Sequence, residues 1–329
     1  MASLMISPDG AMSARGGAMS AAQAGSIPAA PEGSMPAAQA DALLQLALEQ
    51  GTAASRAPTT VPAAYRGLWR RTLLVSGDGS RDEDTRVFWM QTARLHIDIR
   101  VPASRSSYVG AGSLDELTRD ELAGLGEQMG FAGITVVEGG PGMTSESCTW
   151  HRQIDYSVPS EAKDIGAMRF ETPNIVLEDG IEAVYHERWE REANSAGIVW
   201  ALRFSPQQAY AAGLLSSGAA WQDAGDAAPA VFVARCGNRF MLARTRSPDA
   251  QAALVAQRGR SLAQAVRDPA VSIELARTWL DFEISLGEVY RPDGARWIVS
   301  LSTLPWREGQ AAFDPHTGAA LDALPPSEP

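Results

Sequence analysis

One segment, YHERWER at 185–191, combines residue types that could perform acid–base chemistry. On a β-strand alternate residues share a face. One face of this segment would carry Tyr185, Glu187, Trp189 and Arg191. A carboxyl placed between two aromatic rings loses hydration, which raises its pKa unless a cation pairs with it. Glu187 is therefore either half of a structural ion pair with Arg191 or Arg152, or a group suited to proton transfer.

The segment TWHRQIDY at 149–156 offers further candidates, but its inward face is ambiguous. If Trp150 faces inward, Arg152 and Tyr156 join Glu187 in a polar and aromatic pocket. If a bulge reverses the strand, His151 and Asp155 face inward instead, and a histidine beside a carboxylate can act as an acid–base pair. A surface position is the alternative for His151. The candidate catalytic residues are therefore Glu187, Tyr156 and His151.

A third cluster lies in LHIDIRVP at 95–102, where His96, Asp98 and Arg100 alternate with apolar residues. We expect the apolar set to face the barrel interior, which leaves the charged set as an exterior ladder of weak ion pairs. Arg100 can still turn under the barrel and contact Trp69, a cation–π interaction of about 1 kcal/mol.

These segments belong to a chain whose pattern is mostly β from Tyr65 onward, with short Val-, Ile-, Phe- and Trp-rich runs between turn residues. The predicted strands are 66–75, 85–91, 94–101, 132–138, 147–156, 165–171, 174–179, 182–192, 198–204, 230–236, 239–245, 271–286 and 296–303. Two helices are predicted, at 113–130 and near 249–267. Asp179-Gly180 suits a tight hairpin. Both halves share the order strands, helix, strands, which fits a duplication or one large sandwich.

Several motifs resemble a known family. Gly67-Leu68-Trp69 matches the G-x-W signature that opens the barrel of lipocalins. The stretch 65–190 resembles a two-barrel, lipocalin-like family of fungi and its bacterial relatives, through Phe88-Trp89-Met90-Gln91, Asp98-Ile99-Arg100-Val101-Pro102, Gly130-Phe131-Ala132-Gly133, Thr149-Trp150 and Tyr185-His186-Glu187-Arg188-Trp189. The match is looser at 302–306. The resemblance implies that Trp69 closes one end of a barrel beneath an arginine such as Arg100, and it implies no catalytic residues.

Composition excludes several functional classes. The 329-residue chain carries a net charge of −11, which disfavours nucleic-acid binding. Neither a membrane-spanning stretch nor a secretory signal is recognisable, so we expect no membrane association and a cytoplasmic protein. The two cysteines and four histidines lack the spacing of a metal site, and no phosphate-binding motif is present, so we predict no metal and no cofactor. Lys163 is the single lysine, and Schiff-base chemistry would have to use it.

The predicted fold class is all-β with two short helices, arranged as two lipocalin-like antiparallel β-barrels in tandem. We expect a disordered tail at 1–57, barrels at 58–193 and 194–316, and a disordered tail at 317–329. Within the first tail, 40–51 could form a short amphipathic helix with Leu43, Leu44, Ala47 and Leu48 on one side.

The predicted function is binding or processing of a small, partly apolar organic molecule in a barrel cavity. The expected lining is Trp89, Gln91, Trp150, Arg152, Tyr185, Trp189 and Arg191, with Gly67, Trp69 and Arg100 as structural residues. The alternatives are a cofactor-independent isomerase, hydratase or lyase, and a protein-interaction module. The sequence leaves the oligomeric state open.

Overall fold

A nine-stranded antiparallel sheet occupies the first half of the chain. The computed structural model describes residues 44, 45, 48, 49, 60–108, 110–139, 145–215, 229–292 and 294–325. The strands are β1 (Gly67–Ser76), β2 (Arg81–Asp82), β3 (Arg86–Gln91), β4 (Leu95–Val101), β5 (Met129–Glu138), β6 (Glu146–Asp155), β7 (Asp164–Thr172), β8 (Ile175–Gly180) and β9 (Tyr185–Arg191). A 3-10 turn at Ala63–Tyr65 precedes β1.

This sheet closes into a barrel. From β3 to β9 each strand pairs with the next, and β1 pairs with both β3 and β9. The closing ladder runs from Trp69 opposite Arg191 to Ser76 opposite Tyr185. The two-residue β2 only extends the end of β1, so eight strands form the wall. The prediction of an antiparallel barrel in the first half is confirmed, with strand bounds close to those expected from the alternation pattern.

The second half forms an open sheet, and a second barrel is not formed by the described residues. Five strands pair in sequence: β10 (Val199–Phe204), β11 (Val231–Cys236), β12 (Arg239–Arg244), β13 (Glu283–Tyr290) and β14 (Arg296–Ser302). Its two outer strands, β10 and β14, are not paired with each other. The stretch predicted as a strand at 271–286 is a helix as far as Leu280, because Ser272 caps a turn before the apolar residues begin.

Six short α-helices lie in the described part of the chain, where the sequence predicted two. They are α1 (Arg119–Leu125), α2 (Pro206–Ala211), α3 (Pro248–Val255), α4 (Leu262–Arg267), α5 (Ile273–Leu280) and α6 (Pro315–Asp322). The predicted helix at 113–130 begins later, where Thr118 and Glu121 form a capping box. The predicted helix near 249–267 is divided into α3 and α4. None of the helices in the described ranges has the length and apolar character needed to cross a lipid bilayer.

The open sheet packs against the outside of the barrel, and this contact holds the largest apolar cluster. Ile97 and Ile99 of β4 lie in that cluster together with Phe232, Met241 and Ile284 of the open sheet. The apolar face of β4 therefore faces outward, so our expectation that it lines the barrel interior is wrong. The interior holds a separate, tryptophan-rich cluster.

The opposite face of the open sheet is covered by residues that lie near both ends of the sequence. Leu44 and Leu48 are helical and buried against it, whereas Gln45 and Glu49 are exposed. Leu321 of α6 is buried in the same cluster. Helix α6 thus continues to Asp322, within the stretch expected to be a disordered C-terminal tail. Apart from residues 44, 45, 48 and 49, the predicted N-terminal tail at 1–57 lies outside the described residues.

Candidate functional site

Trp89 is the centre of a cluster of four buried tryptophans inside the barrel. Its ring centroid lies 6.2 Å from that of Trp69, 5.6 Å from that of Trp150 and 5.8 Å from that of Trp189. The contacts with Trp150 and Trp189 are edge-to-face, the geometry that aromatic quadrupoles favour. Trp89 and Trp189 thus face inward, as expected, and of the two orientations left open for 149–156 the structure has Trp150 inside.

Trp69 closes one end of the barrel, as the G-x-W resemblance implies. It is fully buried, and its indole Nε1 donates a 2.7 Å hydrogen bond to the carbonyl of Tyr65. The arginine over its ring is Arg191, whose Cζ lies 4.3 Å from the ring centroid. The expectation that Arg100 takes this position is wrong. Arg191 also donates to the carbonyls of Ala64 and Pro173, so it fastens the closed end and does not line a cavity beside Glu187.

The charged residues of β4 face the barrel interior, which corrects the predicted exterior ladder. Asp98 is 2% exposed, and Arg100 Nε donates to it over 2.8 Å. His96 is fully buried, with Nδ1 2.9 Å from Thr135 Oγ1. Burial lowers the pKa of His96 to about 3, and the nearby Arg152 and His151 charges act in the same direction. The apolar face of β4 packs against the open sheet outside the barrel, so the polar face of β4 points into the interior.

Glu187 also faces the interior, as predicted, and it is held in an ion pair. Its Oε1 accepts a 2.8 Å hydrogen bond from Arg71, a residue the sequence analysis did not select. The same guanidinium pairs with Asp82 over 2.5 Å. Burial raises the pKa of Glu187, and the charges of Arg100 and Arg71 oppose that rise. Of the two predicted outcomes for Glu187, the structure has the structural ion pair. Its partner is Arg71, whereas the predicted partners were Arg191 and Arg152.

Glu178 on β8 is the interior carboxyl without a cationic partner. It is 3% exposed and lies directly opposite Glu187 across the β8–β9 ladder. Its oxygens accept hydrogen bonds from Tyr185 Oη at 2.7 Å and from Trp189 Nε1 at 3.0 Å. Among the described residues, no Lys, Arg or His nitrogen forms an ion pair with it. Burial, reinforced by the charge of Glu187, raises the pKa of Glu178 well above its usual value.

A missing side chain on the neighbouring strand makes room for Glu178. A Cβ added to Gly166 of β7 would lie only 2.7 Å from Glu178 Cγ. Gly166 therefore allows the carboxyl to extend across the interior without a steric clash.

A small cavity adjoins this carboxyl. Its volume is about 10 Å³, roughly the space for one water molecule. The lining residues are Trp89, Asp98, Arg100, Phe131, Trp150, Asp164, Glu178 and Trp189. The tryptophan-rich cluster occupies the interior around it, and this cavity is far smaller than the open barrel cavity that the sequence led us to expect.

The barrel wall is interrupted beside this cavity. The β6–β7 ladder ends at the pair Trp150–Asp164, and the rest of β6 has no partner on that side. Arg152 spans this gap, with 2.7 Å to Asp164 and 2.9 Å to Asp155. Its guanidinium lies 4.0 Å from the Phe131 ring centroid. We call this gap the portal, defined by Trp150, Arg152 and Asp164.

A cleft of about 1010 Å³ lies outside the portal, between β6, the 159–164 loop and α3. Trp150 and Asp164 line both the cleft and the interior cavity. The cleft walls include the apolar residues Ile154, Pro159, Pro206, Pro229, Pro248, Ala252 and Val255, and the polar residues His151, Gln153, Lys163, Arg246 and Gln251. This side cleft combines apolar walls with a few polar groups, which is typical of small-molecule sites.

A bulge in β6 explains why the predicted pocket around Tyr156 is wrong. The β5–β6 register shifts between Ala132 and Gly133, so the alternation of β6 is reversed after Arg152. Tyr156 consequently faces away from the barrel interior, with its ring 5.6 Å from that of Phe282 and its hydroxyl donating to Leu125.

The remaining predicted residues lie apart from the interior cavity. His151 is exposed on the outer side of β6 and lines the cleft. Gln91 is fully buried, with its amide bonded to Trp89, Thr135, Thr92 and Leu95. Glu187, Tyr156 and His151, predicted together as catalytic residues, are thus not brought together.

Glu178 and Arg71 were missed by the sequence analysis. A signal for Glu178 existed, because the hairpin register that faces Glu187 inward also pairs it with Glu178. The predicted turn at Asp179-Gly180 obscured this register, since the loop is 181–184, between Gly180 and Tyr185. Arg71 carries no such local signal, because its partner lies on a strand far along the chain.

The described residues contain no group of three or more His, Cys, Asp and Glu side chains that could hold a metal ion. Cys148 and Cys236 are buried free thiols. Comparison of the chain with family models, with curated proteins and with solved structures gives no match. The lipocalin-like family therefore stays a prediction from the residues quoted above.

Proposed function

We propose that this protein binds a small, partly apolar organic molecule in the side cleft, at the portal of the barrel. The observation that carries the proposal is the connection of two spaces: a cleft of about 1010 Å³ and a polar interior cavity share Trp150 and Asp164. Ligand sites of small molecules commonly have volumes of about 300 to 1,000 Å³ and mostly apolar walls with a few convergent polar groups.

This location differs from the one expected for a lipocalin-like carrier. The barrel interior has room for a group of about one water molecule, so the body of a ligand must lie outside it. The portal arginine, Arg152, is placed between the two spaces, where it can contact a ligand in the cleft.

The acid–base enzyme considered from the sequence has less support, because its three predicted residues are dispersed. Glu187 is ion-paired, Tyr156 lies in the contact between barrel and open sheet, and His151 lies outside the barrel. The geometry of the site therefore supports ligand binding better than it supports catalysis by these three residues.

A fragment screen by saturation-transfer NMR tests the proposal on the full chain. Ala252→Trp places an indole in the cleft from the exposed surface of α3, whereas Ala256→Trp places one on an exposed position of the chain outside the cleft. We expect Ala252→Trp to weaken the bound fragments at least about tenfold, and Ala256→Trp to leave them unchanged. If fragments bind equally to both variants, the cleft is not the site.

A further inference from the structure

Three carboxyls line the interior cavity, and two of them have an arginine partner: Asp98 pairs with Arg100 and Asp164 with Arg152. Glu187, on the strand beside Glu178, pairs with Arg71. Glu178 is the third lining carboxyl, and it accepts hydrogen bonds from the neutral donors Tyr185 and Trp189. The site therefore has a place for one more positive charge.

The aromatic walls of the cavity are also suited to binding a cation. Cations bind favourably to the faces of indole rings, which carry negative partial charge. Two of the described arginines already cover Phe131, and a third covers Trp69. In the described part of the structure, no arginine or lysine covers the rings of Trp89, Trp150 or Trp189. These three rings surround the cavity beside Glu178.

Cavity size restricts the cation further. A space of about 10 Å³ holds one group of the size of a water molecule. A primary ammonium group has that size and donates three hydrogen bonds, whereas a trimethylammonium group is several times larger. An inorganic ion would meet no group of three or more ligating side chains among the described residues.

We propose that the barrel interior accepts the primary ammonium group of a small amine, with Glu178 as its counter-ion, while the apolar body of the amine lies in the side cleft. This inference rests on the proposed function, because it assigns a ligand class to the same cleft. The ammonium group enters through the portal when the ion pair between Arg152 and Asp164 opens.

The surroundings of Glu178 make this binding dependent on pH. The titratable or charged groups that act on it are Glu187 and Tyr185 of β9, Asp164 of β7, Asp98 and Arg100 of β4, and Cys148 of β6. Burial and the charge of Glu187 raise the pKa of Glu178, which favours the protonated carboxyl. A bound ammonium group favours the carboxylate, and binding therefore releases a proton.

Calorimetric titration of the full chain with three probes tests the inference. The probes are benzylamine, its neutral analogue benzyl alcohol, and benzyltrimethylammonium, and their affinities are compared in phosphate buffer so that no buffer amine competes. We expect benzylamine to bind at least about tenfold more tightly than either of the other two. We also expect its affinity to increase from about pH 6 to pH 8, with release of about one proton measured in buffers of different ionisation enthalpy.

Two variants distinguish the effect of Glu178 on benzylamine affinity from a general effect of surface charge. Glu178→Gln keeps the shape and should reduce the affinity for benzylamine at least about tenfold, with little change for benzyl alcohol. Glu161→Gln removes an exposed carboxylate from the loop beside the cleft and should change neither affinity. The proton release of the unmodified protein gives the same information if Glu178→Gln does not fold.

Each contrary result has a distinct meaning. Equal affinities for benzylamine and benzyl alcohol overturn the ammonium site and leave the cleft proposal intact. Equal affinities for benzylamine and benzyltrimethylammonium overturn the assignment of the head group to the interior cavity. Absence of benzylamine binding overturns this inference. Failure of the cleft proposal is a separate result, in which the bound fragments have the same affinity for Ala252→Trp as for the unmodified protein.

Discussion

Glu178 and Glu187 lie opposite each other on neighbouring strands with nearly equal burial, but they have different partners. Arg71 gives Glu187 a counter-charge, while Glu178 has the hydroxyl of Tyr185 and the indole of Trp189. Two buried carboxylates this close cannot both ionise without a large energetic cost. The pKa of Glu178 is therefore raised well above its usual value, whereas the charges of Arg100 and Arg71 oppose the rise for Glu187.

Glu178→Gln should change how stability depends on pH. Because the pKa of Glu178 is raised, the folded protein holds a proton that the unfolded chain releases above about pH 4.3. The contribution of this group to the free energy of unfolding thus falls as pH rises above that value. Glutamine stays neutral, so we expect the Tm of Glu178→Gln relative to the unmodified protein to increase between about pH 5 and pH 8. Calorimetric melts measure this difference.

The exposed Glu83, paired with Arg81, provides the control for that experiment. Glu83→Gln should give a Tm difference that does not change with pH, because a solvated ion pair contributes little. A constant difference for Glu178→Gln as well would mean that Glu178 titrates as an ordinary carboxyl.

Glu187→Gln should lower stability at neutral pH, in contrast to Glu178→Gln. It leaves the guanidinium of Arg71, which is 4% exposed, with Asp82 as its remaining partner. Loss of one partner from a buried ion pair costs about 3 kcal/mol. Glu190→Gln on the same strand interrupts only more exposed pairs with Arg70 and Arg188 and should cost less than about 1 kcal/mol. Equal losses in chemical denaturation would argue against the buried pair.

The positions of most strands along the chain could be predicted from the sequence, whereas the inward faces of two of them could not. Alternation and turn residues are local signals, and they placed most strands within a few residues of their positions. The face of β4 depends on Phe232, Met241 and Ile284, which are far along the chain and cover its isoleucines from outside. A strand with two buried faces has no solvent side from which its orientation can be inferred.

The bulge in β6 is the second feature that alternation could not predict. The bulge lies opposite Gly133 of β5, where an added Cβ would lie only 2.0 Å from the carbonyl oxygen of His151. A register shift of one residue exchanges the two faces of a strand. Trp150 therefore faces the interior while Tyr156 faces away from it, a combination that neither of the two orientations left open by the alternation pattern includes.

Trp69→Ala tests the closed end of the barrel formed by β1 and β9. The indole is fully buried, stacks on Trp89 and lies beneath Arg191. Its removal should cost about 3 to 5 kcal/mol, through lost burial and the cavity that remains. Trp306→Ala, at a partly buried position outside the barrel, should cost clearly less. Urea denaturation of both variants decides this, and a loss below about 1 kcal/mol for Trp69→Ala would contradict its place in the closed end.

At the scale of the whole molecule, the open sheet is covered on both faces, which links its stability to chain segments from distant parts of the sequence. The barrel covers one face. The other face packs against Leu321 near the C-terminus and against Leu44 and Leu48 near the N-terminus. Composition alone favoured disorder for both ends, because a few apolar residues among Ala, Gly and Ser cannot form a core by themselves. They can, however, complete a core that another part of the chain provides.

The double variant Leu44→Ala/Leu48→Ala therefore should destabilise the protein, even though both residues lie in the stretch expected to be a disordered tail. The two side chains are 3% and 4% exposed, and truncation of a buried leucine costs about 2 to 5 kcal/mol. Gln45→Ala/Glu49→Ala changes the exposed residues next to these leucines and should shift Tm little. For a chain of this size we expect the leucine variant to lower Tm by about 8 °C or more in a calorimetric scan. Equal transitions for the two double variants would mean that this segment does not stabilise the open sheet, and that the fold begins at the 3-10 turn before β1.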